Sequence, residues 1–443
     1  MTTTPRAPAR EIFGWAMFDF ANSSYTTVIV TVVFGVIFPR LVVGDAPEYR
    51  LGDLLWSVAL SVSYGLVVVT APVLGAIIDF RAAKKRFLFA SYLITVVATA
   101  LLYFVSPGQL LLGVLLVVVS NYGFSVGESF TSSFLPDLGP TEELGKISGY
   151  AWGLGYVGGI ACTGLVLVVV GDQTIENFER VRLVGPITAL FFLLAAIPTF
   201  MFLRERGTPK VLPPGESLLA MGFRRLLDTG RALRGFRDLL VFFVSFFFAM
   251  AGLSIVIAFA FIYGDQVIRW SATSQMLMFV ITNLTASAGA VGFGFLQKRW
   301  GNLRTFNLTL AIWVAAIVGI WGTPGITAWL NGALGTAWAA ESVFLAMGAI
   351  AGLCLGATQS ASRTLVAVFS PESKAAEFFG FWGLFGKLAA IFGLLSLGML
   401  QVRLGLQPAI LLCSLFFLAA LVLALFVREQ RGRAAAAAYI APE

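Results

Sequence analysis

Twelve separate runs of mostly apolar residues divide this sequence, and each is long enough to cross a lipid bilayer as one helix. A membrane-spanning helix needs roughly 20 apolar residues, since each residue adds about 1.5 Å to its length. A helix also satisfies its own backbone N–H and C=O groups, which find no water inside lipid. The sequence therefore predicts an all-α integral membrane protein with twelve transmembrane helices. The predicted spans, in order, are approximately 12–38, 54–78, 87–105, 109–134, 147–170, 183–203, 238–262, 272–296, 304–322, 340–363, 378–400 and 407–427.

Composition supports a membrane protein and argues against most enzymes. Of the 443 residues, 58% are hydrophobic and only 12% are charged, whereas about one quarter of a soluble chain is charged. The chain has no histidine and only three, widely separated cysteines. A serine-hydrolase triad and most zinc sites need those residues. We therefore expect no enzymatic activity, no metal and no cofactor.

The basic residues indicate how the chain is oriented. The net charge of +7 could suggest nucleic acid, but the lysines and arginines lie in short loops between apolar runs. If the N-terminus is cytoplasmic, 23 of the 30 basic residues lie on the inner side and six in outer loops, as the positive-inside rule requires. We expect a bacterial-type inner-membrane protein with both termini cytoplasmic, a retained first span and no nucleic-acid partner.

The longest polar stretch, 204–237, separates two sets of six spans, which gives halves at 1–203 and 238–443. Within this stretch, 216–235 has the spacing of a basic amphipathic helix, which would lie on the anionic inner membrane face. A flexible linker is the alternative. After span nine, 323–339 contains Pro and Gly residues that predict an outer loop with a short amphipathic piece.

The two halves repeat one another. GAIIDFRAAKKRF, from Gly75 to Phe87, follows span two, and GFLQKRWGNLRTF, from Gly294 to Phe306, follows span eight. Three further residues after span four match three after span ten at one constant offset: Pro140, Gly149 and Gly155 with Pro371, Gly380 and Gly386. Two six-helix halves related by a pseudo-twofold repeat are an architecture of secondary transporters, with the substrate site near the midplane.

The segment GAIIDFRAAKKRF resembles the signature loop of the major facilitator superfamily. The residues that match are Gly75, Asp79, Lys84, Lys85 and Arg86. The usual glycine and first arginine of the pattern are Ala82 and Ala83 here, which predicts a looser turn. The resemblance implies the major facilitator fold, with Asp79 and the basic cluster holding the cytoplasmic side shut.

Several longer motifs resemble one branch of that superfamily, which contains the vacuolar amino-acid effluxer of autophagy and bacterial relatives. They are DFANSSYTTVIVTVVF in span one, FLPDLGPTEELGKISGYAWGLGYVGG at 134–159, QSASRTL at 359–365 and EFFGFWGLFGKLAA at 377–390. This resemblance implies alternating access and a small polar substrate, with amino acids favoured.

A polar stripe interrupts the first apolar run. The stripe begins at Asp19 and continues three, four and seven residues later with Asn22, Ser23 and Thr26. These spacings place the four side chains on one helix face. An ionised group at bilayer depth is expensive and usually functional. We expect Asp19 to face a central cavity and to carry a proton or hold a substrate amine. A hydrogen bond that fixes helix packing is the alternative.

Two further charged residues lie within predicted spans. Glu128 in span four is the second proton-carrier candidate, or it forms a gate ion pair with the basic cluster at 81–86. Lys387 lies deep in span eleven, where a lysine needs a partner, unless it snorkels to the interface. We expect it to pair with Asp19 first and Glu128 second.

The remaining candidates are polar residues of the spans. Arg363 closes span ten and either holds the gate, binds a substrate carboxylate or anchors the helix on the inner side. The other residues expected to line the cavity are Tyr25, Tyr64, Asn121, Tyr122, Asn283 and Gln359.

We therefore predict a monomeric secondary active transporter, embedded in membrane lipids, that exports a small polar solute coupled to protons or a counter-ion. One alternative is a lipid, lysolipid or drug exporter of the same fold, whose cavity wall would lack Asp19 and Lys387. A non-transporting receptor without a cavity is another.

Overall fold

The computed structural model describes residues 5–44, 50–212, 215, 217–218, 220–225 and 236–439. In these ranges the chain has twelve helices long and apolar enough to cross a membrane, and it has no strand. The predicted all-α fold with twelve spans is confirmed. The helices are α1 Ala9–Val43, α2 Leu51–Arg81, α3 Lys84–Phe104, α4 Leu110–Ser132, α5 Leu144–Val170, α6 Phe178–Phe202, α7 Arg237–Ile268, α8 Thr273–Trp300, α9 Asn302–Leu334, α10 Ala340–Phe369, α11 Glu372–Gln401 and α12 Leu406–Leu425. A short helix, α13 Glu429–Ala437, follows the last span.

Helix α1 is not uniform along its length. It is α-helical over Ala9–Ser24 and then π-helical over Tyr25–Val32. A second π-helical stretch, Phe38–Val43, ends the helix. The π-helix is rare and is found frequently at functional sites. The change from α- to π-helix falls directly after the first three residues of the polar stripe.

Helix α9 continues through most of the segment 323–339, so the loop predicted there is wrong. Pro324 has no N–H to donate, but the Thr323 hydroxyl donates to the Gly319 carbonyl at 3.1 Å. The carbonyl that Pro324 leaves without its helical N–H donor is that of Ile320, and membrane helices tolerate proline where neighbouring groups satisfy such a carbonyl. The helix ends at Gly335, whose left-handed φ of 62° is typical of a helix terminus.

The chain forms two compact units that do not coincide with the halves of the sequence. The first unit comprises Met1–Thr141, Leu154–Thr229 and Glu372–Leu384, and the second comprises Glu142–Gly153, Gly230–Pro371 and Phe385–Glu443. The start of α5 thus belongs to the second unit, and the start of α11 belongs to the first. The division at 204–237 stays a prediction about the sequence halves.

Glycines permit close helix crossings within each unit. In the first unit, a Cβ atom at Gly158 of α5 would overlap the Phe20 carbonyl of α1. In the second unit, a Cβ atom at Gly289 of α8 would overlap the Leu353 carbonyl of α10. Small residues let backbones approach in this way, which is how membrane helices gain packing contacts.

The internal repeat has a counterpart in these crossings. In the first unit, Gly75 lies against Ala376, and Gly380 lies against Ala71 and Pro72. In the second unit, Gly294 lies against Gly145, and Gly149 lies against Ala290. The glycines in these two sets are the ones paired by the sequence repeat. Each unit therefore contains the same glycine-to-backbone crossing.

Part of the central segment packs on the end of α2. Residues 218 and 220–225 are helical, and Met221 is buried against Val73, Ile77 and Phe80. Residues 226–235 lie outside the described residues, so the helix over 216–235 stays a prediction.

Replacing Gly158 by alanine should lower the free energy of unfolding by about 1–3 kcal/mol, because the new Cβ atom overlaps the backbone of α1. Gly164, on the same helix, has open space where a Cβ atom would lie, with no other atom within 4 Å, so Gly164→Ala is the matched control. Thermal unfolding in detergent, followed by size-exclusion chromatography, measures both. Equal Tm values for the two variants would contradict this account of the crossing.

Candidate functional site

The polar stripe of α1 is buried. Asp19 is 8% exposed and Asn22 is 6% exposed, while Ser23 and Thr26 are half-buried. The Asn22 Oδ1 atom accepts no hydrogen bond from the described part of the chain. Buried polar atoms normally have a partner, so this oxygen is suited to a water molecule or a solute.

Two of the predicted cavity residues connect helices of the first unit. Tyr25 is fully buried, with its ring stacked on Phe124 at 5.2 Å and its hydroxyl 2.8 Å from the Ser120 Oγ atom. The Asn121 amide donates to the Ser63 Oγ atom at 2.9 Å. Interhelical hydrogen bonds of this kind stabilise helix packing within a membrane.

Three further candidates of the first unit are half-buried: Tyr64, Tyr122 and Glu128. The Tyr122 hydroxyl lies 2.9 Å from the Thr70 Oγ1 atom and so joins α4 to α2. Each of these side chains keeps some exposed surface.

Asp79 binds the start of α11 within the first unit. Its two carboxylate oxygens accept the backbone N–H groups of Ala376 and Glu377, at 3.1 and 2.8 Å. These N–H groups belong to the first turn of the α-helix that begins at Ala375, where no partner exists within the helix. A carboxylate is also favoured by the positive end of the helix dipole. Gly75 permits the approach, because a Cβ atom there would overlap the Ala376 carbonyl.

The basic cluster after α2 is not uniform. Lys84 is buried, and its ammonium group donates to Asp137 at 2.9 Å and to the Ser133 carbonyl at 3.0 Å. Lys85 is half-buried and donates to the Leu203 carbonyl, and Arg86 is exposed. Lys84 is therefore the member of the cluster that is buried and held by hydrogen bonds within the first unit.

The turn before this cluster has alanine at the position where the resemblance leads us to expect glycine. Ala82 adopts a left-handed φ of 46°, the region that glycine occupies without steric cost. An alanine in this region is strained by about 1–2 kcal/mol. The left-handed conformation at Ala82 therefore costs stability.

Arg363 lies in the core of the second unit. It is 1% exposed, and it donates through Nε to the Ser148 Oγ atom and through Nη2 to the Ser148 carbonyl, both at 3.1 Å. Its guanidinium carbon lies 5.1 Å from the centre of the Trp152 ring. Full burial does not fit the alternative of a surface anchor, and these bonds tie the end of α10 to the start of α5.

The other candidates of the second unit are half-buried. Lys387 and Gln359 keep partial exposure, and the Asn283 amide donates to the Phe279 carbonyl one turn earlier in α8. The pairing of Lys387 with Asp19 joins residues of different units and stays a prediction.

The sequence analysis missed Glu377, which opens the motif EFFGFWGLFGKLAA. Its side chain is fully buried and lies 3.6 Å from the Lys374 ammonium group. It also missed Asp137, the partner of Lys84, which stands directly after Pro136. Both residues are charged and lie within motifs that carry the family resemblance, and this combination could have identified them from the sequence. In the described ranges, His, Cys, Asp and Glu residues form no group that could hold a metal ion.

The fold and these buried polar groups define a membrane transporter of the major facilitator type. A solved structure of the proton:xylose symporter XylE, bound to 6-bromo-6-deoxy-D-glucose, is similar at a TM-score of 0.70 and 13% identity, covering 96% of each chain. This likeness confirms the predicted fold.

The chain belongs to the family described as "Vacuole effluxer Atg22 like", whose model matches residues 55–437. It is 26% identical to the uncharacterized MFS-type transporter YxiO of Bacillus subtilis, over 94% of both chains. It is 24% identical to autophagy-related protein 22-1 of Penicillium rubens, over 86% of this chain and 75% of that protein. These relatives and structural neighbours are transporters and not enzymes, so the predicted class is confirmed.

Replacing Lys84 by alanine should lower the free energy of unfolding by about 3 kcal/mol, because Asp137 then remains largely buried without its cation. Arg86→Ala removes the same charge from an exposed position and should change little. Thermal or denaturant unfolding in detergent measures both. Adding Asp137→Ala to Lys84→Ala should restore part of the lost stability. Equal losses in Lys84→Ala and Arg86→Ala would contradict the structural role of the Lys84–Asp137 ion pair.

Proposed function

We propose that this transporter exports an amino acid or a related small polar metabolite by alternating access, coupled to protons. The observation that carries the proposal is the buried stripe of α1, where a carboxylate and an amide oxygen lie together within a membrane-spanning helix. An intramembrane carboxylate is costly unless it binds an ion, a proton or a substrate group. Autophagy-related protein 22-1 lends support, since the matching family model is described as a vacuole effluxer.

Asp19 and Glu128 are the proposed proton carriers. The chain has no histidine, so carboxylates are the side chains best able to exchange protons within the spans. Lys387 competes with the proton for the Asp19 carboxylate. Protonation of Asp19 therefore releases Lys387. A substrate with an ammonium and a carboxylate group would match the charges of Asp19 and Lys387.

The gate of this proposal is the contact between Asp79 and the first turn of α11. Its hydrogen bonds join residues 297 and 298 positions apart in the sequence. We propose that they form when the cytoplasmic side is closed and break when it opens. The hydrogen bonds of Arg363 to Ser148 are the corresponding gate contact at the start of α5.

The charge distribution supports a bacterial-type inner membrane with both termini in the cytoplasm, and the protein acts as a monomer. The fluorescence of a protein domain fused to the C-terminus, compared with the activity of a fused periplasmic phosphatase, tests this orientation.

The direct test begins with a thermal-shift screen of amino acids, peptides and organic acids on the purified protein. Flux of the best ligand into proteoliposomes under a pH gradient follows. Asp19→Asn should lower the flux at least about tenfold and remove its pH dependence, since a hydrogen bond to a charged group contributes about 1.5–3 kcal/mol. Glu128→Gln should weaken the pH dependence alone.

The matched control is Asp172→Asn, which removes the same charge from an exposed residue outside the spans. Full flux and unchanged pH dependence in Asp19→Asn and Lys387→Ala would overturn the proposed coupling. Transport of a lysolipid or drug by these same variants would favour the exporter of apolar compounds instead.

Asp79→Asn should reduce steady-state flux at least about tenfold, because a neutral amide is a weaker acceptor for two helix N–H groups. It should leave substrate affinity within about twofold, since Asp79 lies at the gate and not on the proposed substrate site. Flux and thermal-shift titration together separate the two effects. A variant with lower affinity and an unchanged maximal rate would contradict the gating role.

A further inference from the structure

A basic pocket lies in the second unit, where α8 ends and α9 begins, and α13 forms its other wall. Its volume is about 790 Å³. The side chains that line it include one aromatic ring, one acid and four arginines: Trp300, Glu429, Arg304, Arg428, Arg431 and Arg433. It lies apart from every candidate residue discussed above.

Ion pairs and hydrogen bonds fix the walls of this pocket. Arg431 is bound to Asp238, whose carboxylate accepts its Nε and Nη2 groups at 2.5 and 2.8 Å. These hydrogen bonds raise the pKa of the Arg431 guanidinium group. Arg433 donates to Glu429 at 2.6 Å, and the Glu429 carboxylate also accepts the Leu303 N–H at 2.9 Å. The first turn of α9 is therefore already capped.

Two arginines remain available for a ligand. The side chains of Arg304 and Arg428 are exposed, and neither guanidinium group forms an ion pair within the described part of the chain. Because Asp238 compensates Arg431 and Glu429 compensates Arg433, the lining keeps the two positive charges of Arg304 and Arg428. The pocket therefore has a strong preference for an anion.

The surroundings of the pocket are apolar and open. Trp300, at the end of α8, is 52% exposed, and Leu425 and Phe426, which precede Val427 and Arg428 in the chain, are 67% and 65% exposed. Tryptophan is enriched at the membrane interface, where one side of the ring meets lipid. Leu425 ends α12, whose composition suits a membrane span. These exposed side chains are placed to contact acyl chains.

We propose that this pocket binds the phosphate headgroup of an anionic phospholipid, with Arg304 and Arg428 as its anion ligands. Arginine pairs with phosphate through two parallel N–H···O bonds, which a point charge cannot reproduce. Basic pockets between membrane helices bind such headgroups. Trp300, Leu425 and Phe426 hold the acyl chains of the same lipid.

Binding of a phosphate anion is measured by the thermal shift of the full-length purified protein in detergent. The probes are cardiolipin, phosphatidylglycerol, phosphatidylcholine and inorganic phosphate, each titrated separately. Cardiolipin and phosphatidylglycerol should raise the Tm, and phosphatidylcholine and inorganic phosphate should not. The double variant Arg304→Gln, Arg428→Gln should bind the anionic lipids about thirty-fold more weakly, since each arginine near an anionic surface contributes about 1 kcal/mol.

The matched control is Arg180→Gln with Arg403→Gln, which removes the same charge from two exposed arginines outside this pocket. Circular dichroism checks that both double variants remain folded. Equal lipid affinity in the two double variants would overturn the proposal, because general charge attraction would then explain binding. An equal Tm shift with inorganic phosphate, lost in the Arg304→Gln, Arg428→Gln variant, would make a soluble phosphate the ligand and overturn the lipid assignment.

Discussion

The first unit depends on one carboxylate that caps a helix far away in the sequence. Asp79 lies at the end of α2, and its oxygens accept the first free N–H groups of the helix that begins at Ala375. Those N–H groups have no partner within their own helix, so the two oxygens of Asp79 supply the acceptors. The glycine crossing at Gly75, the buried Lys84–Asp137 pair and the buried Glu377 all lie around this cap. The first part of α11, Glu372–Leu384, therefore belongs to the first unit, although it lies in the second half of the sequence.

The second unit has an equivalent crossing with different chemistry. Gly294 and Gly149 repeat the glycine contacts, yet no carboxylate of α8 caps α5 in the described residues. Lys298 pairs there with Glu143 at 3.1 Å, and the buried Arg363 binds Ser148. The repeat thus preserves the backbone geometry, whereas the charged groups that secure each crossing have diverged.

The fold was predictable because hydropathy alone defines membrane spans. The chief error was at Pro324, because a residue that usually ends helices in soluble proteins is tolerated within a membrane-spanning helix. The site was less predictable. The polar stripe of α1 followed from spacing, but the cap formed by Asp79 joins residues 297 positions apart, and local patterns carry no information about such contacts. The different burial of Lys84 and Arg86 likewise depends on packing, since both look alike in the sequence.

In the proposed transport cycle, the cap formed by Asp79 opens once in each turnover. Hydrogen–deuterium exchange of the peptide that contains Ala376 and Glu377, measured by mass spectrometry in proteoliposomes, tests it most directly. We expect slow exchange at rest and faster exchange when a substrate and a pH gradient drive transport, with peptides from the middle of α4 unchanged. Equal protection of the Ala376 and Glu377 amides at rest and during transport would contradict it.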